Sequence, residues 1–346
     1  MKAIFYWEEN ETGAVRLLRI FGSTPEVCVP ETIDGRPVTE VGAYCFGQKS
    51  HLPEHYRITE VDEMGSRERE RTQPAGAAQL SEQTQDVLIA QLRELAGDYP
   101  VRICLPDTIT KIGNFAFYNC TSLEQLELGS RMEELGSDAF MNCHKLHRMT
   151  LRTGAKEKSG ARQILAQISA DMEVTFLGRQ GVEAVVFFPE YYESYDEIAP
   201  AHIFGRNIEG EGFRARQCFL DGCYEFDQYD TIFPKACVEE REKTLCRMAM
   251  NRLRYPVELN GEAHARYEAY VRAHLEQIAS RAVAERRLEE IWFLCDRKIM
   301  EPSVMESCIR YATELDWAKG AAELLDKKNG YFPKKSVTQR YSFDDF

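Results

Sequence analysis

Two short stretches of the chain gather residue types that could do chemistry. In Cys143-His144-Lys145-Leu146-His147 a thiol stands beside two imidazoles, a set suited to metal binding or, with histidine as base, to nucleophilic attack. In residues 211–230, EGFRARQCFLDGCYEFDQYD, Arg214, Arg216, Cys218, Cys223, Glu225, Asp227 and Asp230 lie among aromatic residues. Arg214 and Arg216 are the candidates there for contacting an anion or small ligand, because a guanidinium fork matches carboxylate and phosphate. The competing reading is an interdomain joint whose arginines pair internally with the nearby acids. Cys218 and Cys223 have no second pair to complete a zinc site.

The position of Cys143 is set by a repeat. Residues 112–128, IGNFAFYNCTSLEQLEL, return as residues 135–151, LGSDAFMNCHKLHRMTL. Gly113 recurs as Gly136, Phe117 as Phe140, Asn119 as Asn142, Cys120 as Cys143, Leu123 as Leu146 and Leu128 as Leu151, each shifted by 23 residues (136 − 113 = 23). Cys143 therefore occupies the slot of Cys120, which has no histidine beside it, and the register gives both thiols a structural role at the bend before a strand. A period in the twenties with the L-x-x-L-x-L spacing of Leu123, Leu126 and Leu128 predicts one strand and one turn per coil. A weaker third copy lies upstream. There Val29-Pro30-Glu31 aligns with Leu105-Pro106-Asp107, and Val41-Gly42 and Phe46 align with Ile112-Gly113 and Phe117, with an Ile33-Asp34-Gly35 turn inserted.

Taken together, LPDTITKIGNFAFYNCTSLEQLEL closely resembles the BspA-type leucine-rich repeat, L-P-x-x-[IV]-x-x-I-G-x-x-A-F-x-x-C-x-x-L-x-x-[IL]-x-[IL]. The resemblance covers residues 27–151. It implies a short solenoid used for binding another protein, and its pattern carries no catalytic residue and calls for no cofactor or metal. Alternation along the strand at 123–128 turns Leu123, Leu126 and Leu128 inward and leaves Gln125 and Glu127 outward. One coil later the same outward positions hold Arg148 and Thr150. These four residues are the expected partner-binding face.

Composition narrows the function further. With 346 residues and 44% hydrophobic content the chain is long enough for two or three soluble domains. A formal charge of −13 disfavours nucleic acid and anionic membrane as partners. Eleven cysteines without a C-x-x-C pair suit a reducing compartment. The N-terminus lacks a signal peptide and no apolar run reaches membrane-spanning length, so the expectation is a cytoplasmic protein; the cell surface is the alternative if a signal has been removed. There is no Walker A loop, G-x-G-x-x-G, H-E-x-x-H or G-x-S-x-G motif. The expected function is a non-catalytic interaction module. The rivals are a small-ligand binder or cryptic enzyme at residues 211–230 and a self-associating structural protein; the oligomeric state is left open.

The fold class that follows is an α+β repeat protein: a leucine-rich-repeat β-solenoid in residues 1–180, then an all-α domain of helical hairpins, α-solenoid-like, in residues 181–346. Residues 3–7 and 14–20 around the turn EENETG predict a hairpin that caps the first coil. Leu88, Leu92 and Leu95 predict a helix inserted near residues 62–100. A helix around 162–171 and strands at 173–177 and 183–188 would finish the sheet. In the last half, helices are predicted by apolar spacing, by Pro302 at a first helical position, and by Asp316 as cap of a helix from Trp317 to Leu325 that stops at Asn329-Gly330.

Overall fold

The computed structural model describes residues 3–48, 52–61, 71–73, 92–198 and 203–332. The chain divides into two compact units, Met1–Thr244 and Leu245–Phe346. The division expected near residue 180 falls instead at the turn of a β-hairpin inside the first unit.

In the first unit β1 (Ala3–Glu9) and β2 (Val15–Gly22) form the expected hairpin. They are followed by β3 (Glu26–Cys28), β4 (Thr32–Ile33), β5 (Arg36–Val41), β6 (Tyr56–Val61), β7 (Arg71–Gln73) and β8 (Arg93–Glu94). The repeats then contribute β9 (Arg102–Cys104), β10 (Lys111–Ile112), β11 (Gln125–Gly129), β12 (Glu134–Leu135) and β13 (Arg148–Arg152), and β14 (Met172–Gly178) and β15 (Gly181–Phe188) close the series. Most of the helix expected near 62–100 lies outside the described residues. Its described end is not helical: Arg93–Glu94 pairs antiparallel with β2, and Leu95 is buried.

The first three coils each give one strand to each of two sheets. On one side β3, β9, β11, β13 and β14 run parallel as five rungs, with β15 added antiparallel. On the other, β5, β10 and β12 run parallel, and β2 pairs with β5, so the N-terminal hairpin prolongs this sheet. Leu105, Ile112, Phe117, Leu123, Leu126 and Leu128 are buried between the sheets.

The repeated residues explain the stacking. Phe46, Phe117 and Phe140 form one column, with ring centroids 5.0 and 4.8 Å apart and planes within 6°. Cys120 Sγ donates to Phe46 O at 3.2 Å and Cys143 Sγ to Phe117 O at 3.1 Å, so each thiol ties its coil to the one before. Gly113 is small because the coils touch there: a Cβ would lie 2.6 Å from Ala43 N. At the last coil no further repeat follows, and two glutamines replace it. Gln163 Nε2 donates to Glu133 O at 3.0 Å; Gln167 Nε2 donates to Gly136 O at 2.8 Å, and its Oε1 accepts from Phe140 N at 3.4 Å. In the preceding coil Phe117 N donates instead to Ala139 O of its neighbour. Helix α1 (Ala161–Leu165), which carries Gln163, is shorter than the helix expected at 162–171.

Past β15 the first unit holds an additional hairpin, β16 (Tyr192–Ile198) with β17 (Ile203–Glu209), inside the segment expected to be helical. It also holds α2 (Gly212–Ala215), the small ribbon β18 (Phe219–Leu220) and β19 (Cys223–Tyr224), α3 (Phe226–Asp230) and α4 (Phe233–Glu239).

The second unit is helical. It contains most of α5 (Glu242–Arg254), then α6 (Gly261–Ala273), α7 (Leu275–Ala284), α8 (Leu288–Asp296), α9 (Pro302–Glu314) and α10 (Ala318–Tyr331). Helix α9 packs against both α7 and α10. Pro302 opens α9, as its spacing predicts. Asp316 does not cap α10. It has φ 52°, and Asp316 N and Trp317 N bond back to Thr313 O and Ala312 O, closing the end of α9. Lys298 and Arg286 end α8 and α7 in the same way, each left-handed and without glycine. Helix α10 also runs through Asn329-Gly330 to Tyr331, because a helical glycine near an exposed end costs only about 1 kcal/mol.

Candidate functional site

The five-rung sheet presents two outward rows. Glu26, Arg102, Gln125, Arg148 and Glu173 are successive register partners, and so are Cys28, Cys104, Glu127, Thr150 and Thr175. Between these rows lie Val27, Ile103, Leu126, Met149 and Val174, all buried. Gln125 pairs with Arg148 and Glu127 with Thr150, so the four residues read from the sequence are brought together on one face. Arg148 is exposed, and Gln125, Glu127 and Thr150 are partly exposed.

Glu127 is not a spare charge. Its carboxylate accepts from Arg102 Nη2 at 3.2 Å and from Arg152 Nη1 at 2.7 Å. Sequence reasoning missed Arg152, which ties three coils together: it also donates to Asp107 Oδ1 at 2.6 Å, to Leu105 O and, at 3.3 Å, to Cys104 Sγ. Partial burial works against the Arg152 charge, yet hydrogen bonds to Glu127 and Asp107 outweigh it and raise its pKa. The signal available in the sequence was its place two residues after Thr150, on the same outward alternation. Beyond Arg152, the strand ends open on a cleft of about 860 Å³ lined by Asp107, Arg131, Thr153, Arg179 and Glu183 among others.

The two stretches that opened the chemical reading resolve differently. Cys143 points into the core, whereas His144 and His147 are exposed, so thiol and imidazoles do not converge. Arg216 is buried, and its guanidinium donates to Ile168 O (2.8 Å), Pro189 O (2.5 Å), Gly212 O (2.9 Å) and Ala170 O (2.6 Å). Four of the five N–H donors of a guanidinium are thus spent on backbone carbonyls, and burial lowers its pKa to about 10. Arg214 pairs with Glu211 at 3.2 Å. Burial pushes the Cys218 thiol up to about 12. Tyr224, Phe226 and Tyr229 pack with Phe176 and Phe188 of β14 and β15, so the segment closes the end of the first unit's core. Arg216 is therefore closed to an anion, while Arg214 stays half-exposed and paired with Glu211. Among the described residues no group of three or more His, Cys, Asp or Glu is arranged to hold a metal ion.

A family model described as BspA type leucine rich repeat region (6 copies) matches residues 101–161. Residues 101–161 are a BspA-type leucine-rich repeat region. No curated protein and no solved structure matches the chain. The leucine-rich repeat region so defined contains β9 to β13 and therefore all four residues of the outward face. Among the described residues no helix is long and apolar enough to cross a membrane.

Proposed function

We propose that this protein is a non-catalytic interaction module that binds another protein through the outward face of the five-rung sheet, with Gln125, Glu127, Arg148 and Thr150 at its centre. The observation that carries the reading is the register that sets these side chains in two adjacent rows on strands whose backbone groups are already paired. Such a surface presents polar groups in fixed positions at little ordering cost on binding. Cysteines without a C-x-x-C pair, with Cys120 and Cys143 donating to backbone carbonyls as thiols, support a reducing, cytoplasmic setting.

The test uses the full chain as bait under reducing conditions, beside Arg148→Glu. Arg148 is exposed, so its reversal leaves the core untouched. Capture of one protein by the parent chain and its loss with Arg148→Glu at unchanged melting temperature supports this face. Equal capture by both removes it. Reversal of Glu127 is a poorer probe than its alternation suggests, because Arg102 and Arg152 lose their shared carboxylate.

Self-association is a second reading, favoured by the β16–β17 ribbon. This is a two-stranded sheet on which Tyr192 and Tyr195 are 59% and 62% exposed. Unpaired strand edges invite a second copy. Light scattering of the purified chain separates a monomer from a fixed oligomer.

A further inference from the structure

The outward face contains two thiols that the binding reading does not use. Cys28 in β3 and Cys104 in β9 are register partners on adjacent parallel strands, and Val29 N donates to Cys104 O at 2.8 Å beside them. Val27 and Ile103, the preceding residues, are buried inward, so both thiols stand on the outer side of the sheet. Neighbouring strands lie about 4.8 Å apart, inside the Cα separation of about 4.4–6.8 Å that a disulfide spans. Cys28 is exposed and Cys104 partly so, whereas Cys45, Cys120 and Cys143 on the inner side are buried. The guanidinium of Arg152 lies 3.3 Å from Cys104 Sγ.

We propose that Cys28 and Cys104 are a redox pair, converted by a small-molecule disulfide such as oxidised glutathione into a reversible covalent clasp between the first and second rungs. Cys28, the more exposed thiol, acts first: its thiolate attacks one sulfur of the oxidant, forming a mixed disulfide and expelling one thiolate. Cys104 then gives up its proton and attacks Cys28 Sγ, expelling the second thiolate and closing the bond. Two protein thiols are oxidised, one disulfide is reduced to two thiols, and the two protons pass to the expelled thiolates. In the reduced pair, burial, together with Glu127 and Cys28, pushes the Cys104 thiol up to about 11, while Arg152 acts in the opposite sense; the Cys28 contribution ends once Cys28 is capped. The bond, standing on the exposed side of the sheet, is open to attack by external thiols, which reverse it by the same exchange. The clasp encloses residues 29–103, including the whole excursion between the first and second repeat copies.

The experiment treats the full chain with oxidised glutathione, alkylates the remaining thiols, and maps the digested peptides by mass spectrometry. The expected product is a Cys28–Cys104 crosslink that dithiothreitol removes. Cys104→Ser should stop at glutathione-bound Cys28, and Cys28→Ser should leave Cys104 alkylated. Modification of exposed Cys237 reports that the oxidant was active. If Cys28 in the unaltered chain stays glutathione-bound while Cys104 is alkylated, or if both are alkylated while Cys237 is modified, the proposal is overturned.

Discussion

Asn142 donates its side-chain amide to Asn119 Oδ1 at 2.7 Å from the same slot one coil later, and both residues hold a left-handed backbone, φ 64° and 60°. Asn119 in turn donates to Gln48 Oε1 at 3.1 Å, so three coils share one line of amides. An amide suits this place twice over, since it both donates and accepts, and asparagine tolerates positive φ better than most residues. Asn119→Gly keeps the backbone and loses the ladder, and should cost about 1 kcal/mol. Asn119→Ala loses both and should cost about 2–3 kcal/mol. Urea unfolding of the two variants measures the gap; equal losses would mean that the left-handed turn contributes nothing.

Phe117 has an aromatic ring on each side, whereas Phe140 has one. Phe117→Ala should therefore cost about 3–5 kcal/mol, with Phe140→Ala at the lower end of that range. A loss under about 1 kcal/mol at Phe117 would contradict the stacked column.

Gln167 covers the open edge of the last coil by taking both roles of a missing backbone, donor to Gly136 O and acceptor from Phe140 N. The double variant Gln163→Ala, Gln167→Ala should lower stability by about 1–3 kcal/mol and expose a strand edge. Concentration-dependent light scattering that rises only in the variant is the expected signature.

Glu290 is buried in the helical unit, where desolvation raises its carboxyl pKa despite Arg287, Arg247 and Arg254. The native state therefore holds this proton more tightly than the unfolded chain does. Its contribution to stability is fully present below the unfolded value of about 4.5 and is lost as pH rises through the native value. Glu290→Gln removes the titration and leaves a constant offset from the arginines Arg254 and Arg287. The stability of the parent chain relative to the variant should fall from about pH 4.5 upward and then level. Unfolding curves taken between about pH 4 and 7 check this; a difference independent of pH would refute it.

The repeat half was legible because its signals are local and recur. Gly113, Phe117, Asn119 and Cys120 each meet their counterparts of the next coil, so a column in space is written as a period in sequence. The β1–β2 hairpin and the β14 and β15 strands were legible from short apolar runs around turns. The β16–β17 ribbon was not, because Glu193, Ser194, Asp196 and Glu197 give little apolar alternation to read. Asp316 misled for a related reason: aspartate serves both as a helix N-cap and as a left-handed residue, and only the bonds back to Ala312 and Thr313 separate the two. At the candidate site, alternation identified which side chains point outward. It carried no information on their partners, so the bonds of Glu127 to Arg102 and Arg152, and of Arg216 to four carbonyls, came from geometry alone.

Val41 and Ile112 are register partners 71 residues apart (112 − 41 = 71), whereas Ile112 and Leu135 pair across only 23 (135 − 112 = 23). Closing the longer span costs more chain entropy before any contact offsets it. The expected order is therefore that the coils from Val101 onward form first and that the first coil with its N-terminal hairpin joins them afterwards. Mutations at Phe140 should then slow refolding, while those at Val41 should chiefly speed unfolding.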